Sequence, residues 1–203
     1  MSALLTQLFP ETGWIRFSPV ERELLLHNLD GYGAYGPPAA HYIRAHSVQF
    51  GYLPQTRSGA GWTLAGNLTL PPGSDLGNAR ILAVTIHEVL HLQQPLFTRL
   101  SVYGELLAWQ FEYQAYHDAT GRYYGAAGAP FAGTAAAWDE LSRLSPASHA
   151  DLARAQRLMK EVSPLYRSHM LPLSPLHHEA AYRLARPFRR RVANHNAASS
   201  DKG

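Results

Sequence analysis

The residues of this 203-residue chain best suited to chemistry gather between Arg80 and Gln94, around His87-Glu88-Val89-Leu90-His91. On a helix, residues i and i+4 stand on one face, one turn apart. His87 and His91 can then offer two imidazole nitrogens to one metal ion. Glu88, beside the first histidine, can reach water on that ion and act as general base. The stretch is otherwise apolar nearly all round, with Ile81, Leu82, Val84, Ile86, Val89, Leu90 and Leu92, so the helix is expected to be buried. Histidines and a glutamate are costly in such surroundings unless something such as a metal pairs them. A pattern with three defined positions also arises by chance, so its weight rests on this context and on a third ligand.

Helix geometry nominates that ligand. Pro95 is expected to end the motif helix, and a second helical pattern runs from Thr98 or Ser101 to Thr120, closed by Gly121. So short a break implies an antiparallel hairpin. With the midpoint near residue 96, Glu105 lies level with the two histidines. Glu112 lies seven residues further on, roughly 10 Å at about 1.5 Å per residue. Zinc–ligand bonds are about 2 Å long, so one ion cannot bind both histidines and Glu112 in this arrangement. Glu105 is the expected ligand; the bland alternative is a surface carboxylate favoured by a helix N-terminus. Glu112 is read as a hydrogen-bond acceptor behind a ligand or as a substrate contact, against the alternative of an ordinary exposed glutamate.

The rest of the chain must position these groups. Its length suits one domain, expected over residues 1–193, with residues 194–203 as a disordered tail. Ser18-Pro19-Val20-Glu21 is a capping box that should start a helix through about Asn28, ended by Gly31 and Gly33. Gly31 to Pro38 reads as a turn-rich connector. Alternation over His46–Tyr52 and again over Trp62–Leu70 predicts two strands joined through Pro54–Gly61. Gly125 to Ala137 reads as a loop. Later helices are expected over about Ala135–Leu144, Ser148–Tyr166 and Ser174–Arg186. The predicted fold class is α+β, mostly helical, with a small antiparallel sheet beside the motif helix.

Composition narrows the chemistry. There are no cysteines, so disulfides and thiolate metal sites are excluded, and eleven histidines are available as ligands. The formal charge is only +3. Arg186, Arg189, Arg190 and Arg191 are read as a solvated tail rather than a nucleic-acid surface, so no nucleic acid is expected as partner. No run approaches the length of a membrane span. The first ten residues lack a basic region followed by a long apolar run, so a cytoplasmic location is expected.

His87-Glu88-Val89-Leu90-His91 followed by Glu105-Leu106-Leu107-Ala108 resembles the zincin metallopeptidases of the gluzincin type. These carry H-E-x-x-H on one helix and a glutamate ligand, often in an E-x-x-A context, on a later one. The resemblance covers residues 80–112. It implies a zincin-like fold and Zn2+ as cofactor. It also implies a peptide or protein substrate laid along an edge strand beside the motif helix, with Trp62–Leu70 as candidate strand. The spacing departs from the pattern: thirteen residues separate His91 from Glu105, fewer than in thermolysin-like enzymes, and the twenty before Glu112 come closer. The metzincin pattern fails, because Gly and His do not follow His91 where it requires them.

The expected activity is zinc-dependent peptide hydrolysis, with His87, His91 and Glu105 on the metal and Glu88 as base. Such hydrolysis also needs a group beside the metal to stabilise an oxyanion. His177 and His178 are candidates, as are Tyr116, His117, Tyr123 and Tyr124. A zincin-like metal-binding protein without efficient turnover is the alternative. A regulatory or toxin-associated protease for a single protein partner shares the chemistry and differs in substrate.

Overall fold

The first helix shows how directly local sequence acts. Glu21 N–H donates to Ser18 Oγ at 3.2 Å, and Ser18 N–H donates to Glu21 Oε2 at 2.8 Å, closing the expected capping box. Helix α1 (Pro19–Asp30) follows, stops at Gly31 and buries Leu25, Leu26 and Leu29. The computed structural model describes residues 13–54, 60–63, 65–123, 135–162 and 171–175. Among these residues the fold is a mixed α+β arrangement of seven helices and one four-stranded sheet.

The expected connector after Gly31 is corrected in part. Gly36–Ala45 forms helix α2, burying Gly36, Ala39, Ala40 and Ile43. Pro37 and Pro38 look like helix breakers, but they lie in the first turn, where the missing N–H groups have no intrahelical partner to lose.

The sheet is mixed, which corrects the antiparallel expectation. Strands β1 (Ile15–Arg16), β2 (Phe50–Tyr52), β3 (Gly61–Trp62) and β4 (Leu68–Leu70) lie in the order β1-β2-β4-β3. The run expected as one strand over Trp62–Leu70 is broken. Thr63 N–H donates to Asn67 O, and Gly66, at φ +81°, donates to Thr63 O, both at 2.9 Å. A φ of this sign suits glycine, and it lets the chain reverse here. β3 and β4 therefore form an antiparallel hairpin, and the reversal lays β4 parallel to β2, with Phe50 opposite Leu68. Alternation reports which face a residue takes; it carries no record of strand direction.

The motif helix is α3 (Ala79–Gln93), capped by Asn78, whose Oδ1 accepts from Arg80 N–H. It is buried from Leu82 through Val89 and again at His91, as its all-round apolar pattern requires. The break at Pro95 holds one short helical turn, α4 (Leu96–Arg99). Ser101 then caps α5 (Val102–Thr120), and Gly121 closes it in the left-handed conformation at φ +68°. Two further helices, α6 (Ala135–Arg143) and α7 (His149–Val162), pack against α5. Trp109 of α5 stacks on Trp138 of α6 with centroids 4.6 Å apart. The expected loop at Gly125–Ala137 falls outside the described residues except for Ala135–Ala137, which open α6. Of the expected helix from Ser174 to Arg186, only Ser174 and Pro175 are described. The expected tail at 194–203 lies outside as well.

Candidate metal centre

α3 and α5 run side by side, and their facing sides carry the chemistry. His87 and His91 stand one turn apart, with their Nε2 atoms separated by 3.1 Å. Glu105, in the first turn of α5, places Oε1 3.4 Å from His91 Nε2 and Oε2 3.7 Å from His87 Nε2. A tetrahedral ion with ~2.0–2.1 Å bonds holds its ligand atoms about 3.3 Å apart. The Nε2–Nε2 separation and the His91 Nε2–Oε1 separation lie close to that value, and Oε2 stands slightly further from His87 Nε2. Glu88 belongs to the same cluster: one ligand atom each from His87, Glu88 and His91 lie within 4.8 Å of one another. That looser limit suits a neighbour of the ion better than a ligand, so Glu105 fits the third position better.

The surroundings prepare the ring nitrogens. Gln94 Nε2 donates to Gly104 O at 3.1 Å, which turns Gln94 Oε1 towards His91 Nδ1, 3.0 Å away. Glu112 Oε2 lies 2.9 Å from His87 Nδ1, although the ring N–H is not well aligned with it. Each histidine thus has an acceptor behind it and turns Nε2 towards Glu105. His87, Glu88, His91 and Glu112 are all buried, whereas the Glu105 side chain is 17 % exposed. The cluster therefore opens to solvent on the Glu105 side.

Electrostatics make this group unlike an ordinary core. Burial works to lower the His87 pKa, but Glu105, Glu112 and Glu88 outweigh it and hold the ring's proton well above its ordinary value. Burial raises the Glu88 carboxyl, and the two histidine rings only partly offset that rise. Burial also works to raise Glu105, but His91 and His87 more than reverse it, leaving this carboxyl well below its usual range. Three carboxylates converge on two buried histidines. A divalent cation between the two Nε2 atoms and Glu105 would add positive charge where they meet. The donor set, two imidazole nitrogens and one carboxylate, fits such an ion.

The structure brings His87, Glu88, His91, Glu105 and Glu112 together. Glu112 is a buried acceptor behind His87, so its reading as an exposed glutamate is corrected. Tyr116 lies one helical turn beyond Glu112 on α5. His117 follows it and stacks on Tyr123 with centroids 3.9 Å apart. Tyr124, His177 and His178 lie outside the described residues. Just before those histidines, Pro172 O and Leu173 O accept from Val102 N–H and Tyr103 N–H, so the chain passes beside the first turn of α5.

Two contributors escaped sequence reasoning. Gln94 lies three residues after His91, a spacing that meets on a helix face and could have pointed to it. Trp62 falls in the candidate edge strand, but nothing in its spacing points to His91. Its ring centroid is 6.2 Å from that of His91, and the Arg99 guanidinium lies 4.6 Å over its ring. Trp62 belongs to β3, the sheet edge nearest α3. The Leu68–Leu70 part of the expected edge strand is instead interior, paired with both β2 and β3.

No family model, curated protein or solved structure matches this chain. Among the described residues, no helix is long and apolar enough to cross a membrane.

Proposed function

We propose that this chain is a zinc-dependent metallopeptidase of zincin type, with Zn2+ held by His87, His91 and Glu105. The observation that carries the reading is the convergence of the two Nε2 atoms, 3.1 Å apart, on the Glu105 carboxylate, whose Oε1 lies 3.4 Å from His91 Nε2 and whose Oε2 lies 3.7 Å from His87 Nε2. With no cysteine in the chain, a nitrogen–oxygen site of this size suits zinc. When bound, zinc supplies Lewis acidity, polarising the scissile carbonyl and lowering the pKa of the attacking water.

The chain's own residues do the rest. Glu88 takes a proton from the attacking water and passes it to the departing amine. Its burial beside His87 and His91 places it next to water that an ion there would hold. Gln94 and Glu112 hold the two rings in orientation. β3 offers an extended peptide a sheet edge beside the motif helix, with Trp62 and Arg99 at its border.

The alternative is a metal-binding protein without efficient turnover. The two readings separate in one experiment. Wild type and Glu88→Gln, both loaded with zinc, are incubated with a broad peptide library and followed by mass spectrometry. A peptidase cleaves as wild type and loses at least the ~10²–10⁴-fold that general-base catalysis supplies in the variant. Equal cleavage by both would reject Glu88 as base. Absence of cleavage in both, with zinc retained, would favour the binding protein.

A further inference from the structure

Gln94 is a polar side chain in an apolar place. It sits at the C-terminal end of α3 and is 9 % exposed, so both ends of its amide need partners. They have them. The nitrogen end donates to Gly104 O at 3.1 Å, and the oxygen end faces His91 Nδ1 at 3.0 Å. Turning the amide over would set its oxygen against a carbonyl oxygen, so the Gly104 contact decides which way it points. A carbonyl oxygen cannot donate. The proton in the His91–Gln94 contact must therefore come from His91 Nδ1.

The approach that permits this is itself unusual. A Cβ on Gly104 would lie 2.1 Å from Thr98 O and 2.9 Å from Gln94 Oε1. Only glycine lets the turn after Pro95 lie this close to the start of α5. Arg99 holds the same turn, donating to Leu92 O at 3.2 Å and Gln94 O at 2.9 Å. Gly104 directly precedes Glu105 in the chain. One amide thus ties the helix bearing His91 to the residue next to Glu105.

From this geometry we infer that Gln94 is a positioning residue that sets the tautomer of His91. It holds the ring as Nδ1–H and keeps the Nε2 lone pair directed at the site before any ion arrives. In water the Nε2–H form of a histidine side chain is the commoner one, so the protein must impose the other. The inference rests on the proposed role of His91 as ligand for its use, but the tautomer itself can be read without metal.

The test uses the full chain, 15N-labelled, freed of metal with chelator and kept at alkaline pH. Long-range 1H–15N spectra identify which His91 nitrogen carries hydrogen, with His91→Gln supplying the assignment. Zinc affinity is measured separately by chelator competition, and far-UV circular dichroism monitors the fold. Wild type should show His91 as Nδ1–H. Gln94→Leu should shift the ring towards Nε2–H and weaken zinc binding by roughly 10–100-fold. Gln94→Glu keeps an acceptor facing His91 and should retain the Nδ1–H ring, while its second oxygen, set against Gly104 O, lowers stability. Wild type in the Nε2–H form would overturn the inference. So would Gln94→Leu with an unchanged tautomer, or Gln94→Glu with the ring in the Nε2–H form. If Gln94→Leu does not fold, the wild-type and Gln94→Glu spectra decide. An Nδ1–H ring in a wild type that binds no zinc would defeat the proposed function and leave this inference standing.

Discussion

Replacing Glu112 by glutamine separates a ligand from the group behind it. The carboxylate lies 2.9 Å from His87 Nδ1 and is as buried as the ring it faces. Glutamine preserves the shape and one acceptor oxygen but removes the charge that steadies His87 as it binds a cation. Removing such a partner behind a ligand typically costs 10–100-fold in metal affinity, about 1.4–2.7 kcal/mol. The ring N–H is poorly aligned with the carboxylate, so the lower end, about tenfold, is expected. Glu105→Gln should cost far more, because it weakens one of three protein donors. Zinc competition against a chromophoric chelator at constant pH measures both variants, with thermal unfolding as a check on folding. The predicted order is wild type, then Glu112→Gln, then Glu105→Gln. An unchanged affinity in Glu112→Gln would remove Glu112 from the centre. A greater loss there than in Glu105→Gln would mean that Glu112 is the ligand.

Two further predictions concern pH and packing. In metal-free protein, the raised His87 pKa contributes stability that is fully present below its ordinary value of 6.5 and is lost as pH rises through the raised value. Glu88, also raised, acts in the same direction above its ordinary 4.5, whereas Glu105, lowered, loses its contribution as pH falls below 4.5. Thermal midpoints measured from pH 4 to 10 in chelator should therefore decline on the alkaline side, and zinc should lessen that decline because it takes the proton's place; a metal-free midpoint that rises steadily above pH 7 would contradict this. Gly104→Ala should destabilise the fold by roughly 1–3 kcal/mol in urea unfolding, because its Cβ would meet Thr98 O at 2.1 Å, and an unchanged midpoint would show that the turn gives way easily.

Much of the centre was legible because it depends on local spacing. The H-E-x-x-H pattern needs only a helix, and the apolar residues around it specify one. Ser101, Pro95 and Gly121 mark the ends of α3 and α5 closely enough to place Glu105 level with the histidines, as found. The same register set Glu112 beyond the level of the histidines, whereas the structure brings it against His87, 2.9 Å from Nδ1. What stayed hidden depended on non-local contacts. The parallel pairing of β2 with β4 follows from a reversal at Gly66 that alternation does not encode. Helix α2 was obscured by Pro37 and Pro38, whose meaning changes with their place in a helix. Gln94 acquires its role only when Gly104 from the next helix meets it. Trp62 comes near His91 only through the sheet.

The central claim is that three side chains converge on one metal ion, and diffraction at the zinc absorption edge tests it most directly. Crystals of the zinc-loaded protein should give one anomalous peak at the facing sides of α3 and α5. That peak should lie about 2.0–2.1 Å from His87 Nε2, His91 Nε2 and a Glu105 oxygen, with Gln94 and Glu112 still behind the rings. A peak bonded to Glu112 instead of Glu105, or no peak between His87 and His91 at stoichiometric zinc, would contradict it.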